Sequence, residues 1–148
     1  MALHFSKEEF SKRKANILES MKEQKLDALL MFRQESMYWL TGYDTFGYVF
    51  FQTLVLDKIG NTILLTRAPD LRQAQNTSNI EDIRIWVDKD GSNPTDDLKI
   101  ILRSSVGLEP SLSTQILMSS ILEVFCACLK SGALVKRIIF PFLSITNV

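Results

Sequence analysis

The sequence predicts an α/β fold, a mixed sheet of about six strands flanked by helices. Three observations carry that reading. A capped amphipathic stretch opens the chain. Short apolar, β-branched runs then recur between helical stretches, and two of them are joined by the compact turn Asp57-Lys58-Ile59-Gly60-Asn61, a hairpin signal. A length of 148 residues suits one domain with a sizeable core.

Each element has a local reason. Ser6 and Glu9 stand at capping-box spacing and Phe5 and Phe10 at staple spacing. Phe10, Ile17, Leu18 and Met21 then line one helical face to about Gln24. Ala28-Leu29-Leu30-Met31-Phe32 reads as a buried strand, and Gln34 to Leu40 as a short helix stopped by Gly42. Tyr48 to Leu56 is aromatic and β-branched and predicts a long strand, returning through the turn into Thr62–Thr66. Pro69 opens a short helix to Gln75, and Ile83–Val87 is the next strand. Asn93 as cap and Pro94 as first residue predict a helix to about Arg103. Val106–Glu109 reads as a short strand. Ser113 caps a helix with Leu117, Ile121, Val124 and Cys128 on one face, and Leu134–Phe140 is expected as the last strand.

Composition narrows the function classes. The chain is 46% hydrophobic and 23% charged, with zero net charge. No Lys or Arg run is present, which argues against nucleic acid or an anionic membrane as the partner. No apolar run is long enough to span a bilayer, and the amino terminus lacks the pattern of a secretory signal. A cytoplasmic protein is expected. Charge is uneven, however: residues 138–148 carry none.

Most catalytic chemistry lacks its residues. His4 is the single histidine, and Cys126 and Cys128 are spaced for neither a redox motif nor a zinc site. Asp88-Lys89-Asp90-Gly91-Ser92-Asn93 begins like a calcium loop, but its glycine comes too early and its twelfth position is Lys99. Glu8/Glu9 and Asp96/Asp97 sit where they answer helix dipoles. Neither a nucleophile elbow nor a phosphate-binding glycine loop is present.

The distinctive segment is Met37-Tyr38-Trp39-Leu40-Thr41-Gly42-Tyr43-Asp44, running on through Phe46-Gly47-Tyr48-Val49-Phe50-Phe51. Seven aromatic residues fall within fifteen positions, beside two glycines and a carboxylate. That mixture suits a pocket wall or a subunit contact.

Following a helix and Asp27-Ala28-Leu29-Leu30, this segment resembles the amino-terminal domain of the creatinase/prolidase family, which includes Xaa-Pro aminopeptidases. The Leu40-Thr41-Gly42-Tyr43-Asp44 form looks closest to the creatinase and ectoine-hydrolase-like side. Val106-Gly107-Leu108-Glu109 resembles a later strand of the family. Phe125-Cys126 and Leu134-Val135-Lys136-Arg137 resemble the approach to its final strand. The resemblance implies a creatinase N-terminal-like domain over 1–137. Residues 138–148 are then an atypical apolar tail, expected from truncation or a frameshift, with an ordinary last strand over 138–142 as the alternative.

In such enzymes a second domain of pita-bread fold performs catalysis, with two metals or a catalytic His. The resemblance therefore implies no catalytic residue, cofactor or metal in this chain, with divalent metals confined to the separate catalytic domain. It implies a domain that makes dimer contacts and covers the active site, with a homodimer partner or that catalytic domain. Tyr43, Asp44 and Tyr48 are the substrate-side candidates it suggests, while Trp39, Phe46, Phe50 and Phe51 are read equally as core. An aromatic and an arginine that hold the substrate carboxylate in creatinase fall on Tyr48 and Phe50, so the arginine is missing and creatine is not the expected substrate. The alternative is a free-standing binding or interaction module that uses the Tyr38–Phe51 aromatic patch.

Overall fold

A computed structural model describes residues 4–47, 49–107 and 138–139. Its elements are α1 (Lys7–Glu23), β1 (Ala28–Met31), α2 (Gln34–Thr41), β2 (Thr53–Asp57), β3 (Thr62–Arg67), α3 (Leu71–Thr77), β4 (Asp82–Trp86), α4 (Pro94–Ile101) and β5 (Ile138–Ile139). A 3₁₀ turn over Ala68–Asp70 leads into α3, and a π-helical turn over Leu102–Val106 follows α4. The strands form one mixed sheet in the order β4-β3-β2-β1-β5. β2 is antiparallel to both β1 and β3, whereas β4 and β5 run parallel to their neighbours.

The local signals explain the elements. The Ser6 hydroxyl accepts from the Glu9 amide at 3.2 Å, and Phe5 meets Phe10 edge-on at 5.8 Å. The expected capping box is half realised, because the Glu9 carboxylate turns to Arg13. Phe10 and Met21 of the predicted stripe are buried, with Ile17 and Leu18 packed against the core. At the hairpin, the Asp57 carboxylate accepts from the amides of Ile59 (3.0 Å) and Asn61 (2.8 Å) and from the Asn61 side chain (2.8 Å). Gly60 closes the turn at φ +97°, where a Cβ is disfavoured. Asn93 caps α4 through the Thr95 amide at 3.1 Å.

Alternation along the strands makes a sheet buried on both faces. Leu29, Met31, Leu54, Leu56 and Leu64 join Met21, Met37, Leu40, Tyr43 and Ala74 under α1, α2 and α3. Leu30, Val55, Ile63 and Leu65 face the other way and meet Trp86, Leu98, Ile101 and Leu102 around α4. The register places Leu29 opposite Leu56 and Val55 opposite Ile63. A one-residue slip would exchange the two cores, so the pairing is strongly specified. Each buried Leu or Ile contributes about 1.5–3 kcal/mol.

Two expectations need correction. The strand expected over 48–56 begins at Thr53; residues 49–52 form a turn and an irregular approach, because Phe50 closes back on Gly47 through a 2.9 Å amide bond. The strand expected from Val106 does not begin there, since Val106 ends a π turn and Gly107 follows at φ +68°. The rest of that strand, the Ser113–Cys128 helix and most of the last strand lie outside the described residues. Ile138 and Ile139 pair in parallel with Ala28 and Leu29. Among the described residues no helix is long and apolar enough to cross a membrane.

Candidate functional site: an aromatic loop over a buried polar centre

The aromatic-glycine segment leaves the sheet through α2. Gly42 takes the left-handed conformation (φ 79°) that ends the helix, and its amide returns to the Tyr38 carbonyl at 2.8 Å. Two more terminal carbonyls are held: Arg13 donates to that of Trp39 at 2.6 Å, and the Asn79 amide to that of Thr41 at 3.0 Å. The corner is thus fixed from α1, from the α2 backbone and from the loop after α3.

Past Gly42 the chain turns inward. Tyr43, expected on the substrate side, is completely buried in the core and cannot form an exposed wall. Its hydroxyl donates to Gln52 Oε1 at 2.9 Å and lies 3.4 Å from Thr66 Oγ1. Burial pushes its pKa above the usual tyrosine value, against the opposing effect of neighbouring threonine hydroxyls. The physical reason for the inward course is the helix stop itself: the left-handed Gly42 redirects the backbone, and Thr41 Oγ1 catches the Tyr43 amide at 3.3 Å.

Asp44 is exposed. Its backbone is pinned by Thr77 at 3.2 Å, and its carboxylate receives a long 3.4 Å contact from Gln34. The stronger bond of Gln34 goes to the Thr45 carbonyl at 2.6 Å. Tyr48 lies outside the described residues. Of the aromatics read equally as core, Phe51 packs edge-on against Phe32 (6.0 Å) and Trp86 (6.3 Å). Phe46 is 86% exposed, Val49 69%, Trp39 45% and Phe50 44%. The structure therefore separates the segment into an inner row and an outer apolar collar.

A polar centre that composition did not reveal lies beneath the collar. Asp70 is buried at the start of α3 and receives Thr45 Oγ1 at 3.5 Å; Thr45 Oγ1 in turn accepts from the Gly47 amide at 2.9 Å. A Cβ on Gly47 would stand 2.7 Å from both Asp70 carboxylate oxygens, so a side chain there would force the Asp70 carboxylate to move. Arg67, the last residue of β3, reaches Asp70 at 3.5 Å and Asp88 at 3.8 Å. Its guanidinium carbon lies 3.2 Å from the Phe50 ring centroid, a cation–π contact that holds an otherwise exposed ring. The one available signal was Arg67 at the end of the run Ile63-Leu64-Leu65-Thr66, with Asp70 three residues on.

Chemically this is a positioning centre beneath an apolar surface. Among the described residues no group of three or more His, Cys, Asp or Glu side chains is placed to hold a metal ion.

A mixed sheet with helices on both faces, carrying an aromatic corner anchored from three sides, defines an α/β domain. Solved structures share this fold. An XXA-Pro aminopeptidase from Streptococcus pyogenes superposes with a TM-score of 0.58 at 17% identity, over 91% of this chain and 93% of that one. The Creatinase/Prolidase N-terminal domain of an X-Pro dipeptidase from the same organism gives 0.54 at 16% identity, over 64% and 70%. A dipeptidase from Pyrococcus horikoshii OT3 gives 0.57 at 18% identity, over 89% of this chain and 34% of its own.

The family model of the creatinase/prolidase N-terminal domain matches residues 13–138, and the chain belongs to that family. An uncharacterized hydrolase/peptidase of Sinorhizobium fredii (strain NBRC 101917 / NGR234), y4tM, is 31% identical over 84 residues. The match spans 56% of this chain and 21% of that relative's length.

Proposed function

We propose that this domain is the non-catalytic amino-terminal part of a hydrolase of the Xaa-Pro peptidase and creatinase type. It supplies a contact surface that meets a second copy in the intact enzyme and covers the active site there. The observation that carries this reading is the apolar collar. Phe46, Val49 and Phe50 stand out of the loop after α2, and Trp39 out of α2 itself. Arg13 and Asn79 hold the end of the helix, Thr77 holds the Asp44 backbone and Asp70 meets the Thr45 side chain. Large apolar side chains exposed on an anchored frame support an interaction site. Chemistry and divalent metals then belong to a catalytic domain, which is consistent with the 21% coverage of the curated relative.

The test is turnover. Purified protein is incubated with Xaa-Pro dipeptides and tripeptides, with and without manganese, zinc or cobalt. The reading predicts no hydrolysis above buffer under any of these conditions. Sustained, stoichiometry-exceeding hydrolysis by homogeneous protein would overturn it.

A further inference from the structure

The corner that presents the collar is held from outside the family's aromatic-glycine segment by one side chain of α1. Arg13 is largely buried and makes three kinds of contact at once. It donates to the Trp39 carbonyl at 2.6 Å and pairs with the Glu9 carboxylate. Its guanidinium carbon sits 4.0 Å from the Phe5 ring centroid and 5.1 Å from that of Trp39, with Phe10 at 5.7 Å. Phe5 in turn meets Tyr38 edge-on at 6.0 Å, and the His4 ring is hydrogen-bonded to the Tyr38 hydroxyl. Residues 4–6 thus form a strap drawn across α2, with Arg13 as the pin between strap and helix.

We infer that Arg13 is a latch: it positions the carboxyl end of α2, and with it the Gly42 corner, by coupling that turn to the strap of residues 4–6. α2 has eight residues, too few to be stable by its own hydrogen bonds, so its last turn depends on outside partners. Gly42 and Asn79 serve Tyr38 and Thr41 with backbone amides, whereas Trp39 is served by a charged side chain. A charge-assisted bond is stronger than a neutral one, and the planar fork lets the same group stack on rings while donating. With the strap released, Arg13 loses the Phe5 face and the Trp39 contact is left to solvent competition. The inference concerns the order of the corner itself, so it stands apart from the covering role proposed above.

Amide hydrogen exchange of the full chain reads this directly. In Arg13→Met, amides of residues 38–43 are expected to exchange about tenfold faster, as loss of a charged hydrogen bond implies. Those of β2 and β3 are expected to stay at wild-type rates. Phe5→Ala, which leaves the Trp39 bond intact, is expected to give a smaller rise confined to the same amides. Arg13→Lys, which keeps the cation without the fork, falls between. Unchanged rates at 38–43 in these variants would overturn the latch, and so would a rise of equal size in β2 and β3, because that describes general destabilisation.

Discussion

The guanidinium carbon of Arg67 lies 3.2 Å from the centroid of the Phe50 ring, which joins the end of β3 to the collar above it. The same guanidinium faces Asp70 and Asp88, so one buried cation holds an aromatic ring and balances carboxylates. Arg67→Met keeps the stem and removes the charge, leaving the buried Asp70 without its cation. Urea denaturation is expected to show a loss of about 2 kcal/mol. Phe50→Ala is expected to lose about 0.5–1 kcal/mol, since the ring is partly exposed.

A side chain at Gly47 is expected to displace the Asp70 carboxylate. A Cβ there meets the Asp70 carboxylate at 2.7 Å, and Asp70 is confined by Arg67 and Thr45. Gly47→Ala should cost about 1–3 kcal/mol in the same denaturation experiment. Asp70→Ala introduced beside it should recover part of that loss by making room, so a double-mutant cycle would show coupling.

Tyr43 carries a hydrogen-bond test and a pH test. Tyr43→Phe removes the donor to Gln52 and is expected to cost about 1 kcal/mol. Burial raises the folded-state pKa above the ordinary tyrosine value of 10.0. The neutral phenol is therefore favoured in the folded state, and its contribution is fully present below pH 10. It is lost as pH rises from that value through the folded pKa, because the unfolded chain releases the proton first. Denaturation of wild type and Tyr43→Phe across this range should show the wild type losing stability more steeply, while ultraviolet titration should show one tyrosine ionising late.

Asp57 gathers three donors at the hairpin, two of them backbone amides, and is itself buried. Asp57→Ala strands those amides at a tight turn and is expected to lower stability by about 2–3 kcal/mol. Asp57→Asn, which keeps an acceptor oxygen, should lose less, and thermal melts of the pair give the comparison.

Much of this fold was legible because its signals are local. The Ser6 cap, the Phe10–Met21 stripe, the Gly42 stop, the Asp57–Asn61 turn and the Asn93-Pro94 start each act within a few residues, and the structure reproduces them. The site was less legible because its partners are distant in sequence. Tyr43 beside Gly42 reads as a pocket wall until Gln52 and Thr66, nine and 23 positions away, draw its hydroxyl inward. Aromatic and β-branched composition suggested that the strand began at Tyr48, but the Phe50–Gly47 turn delays it to Thr53. Arg67 and Arg13 look like ordinary surface charges in the sequence, and only packing shows one beneath Phe50 and the other between Phe5 and Trp39.

The central claim is that the collar on the anchored loop is a contact surface for a second copy. Sedimentation equilibrium of the wild type beside a Phe46→Ser, Phe50→Ser double variant tests it most directly. The account predicts reversible dimerisation of the wild type and a shift toward monomer of at least tenfold in dissociation constant for the variant, as loss of central aromatic contacts implies. A wild type that stays monomeric at every concentration, or a variant that dimerises as tightly as the wild type, would contradict it.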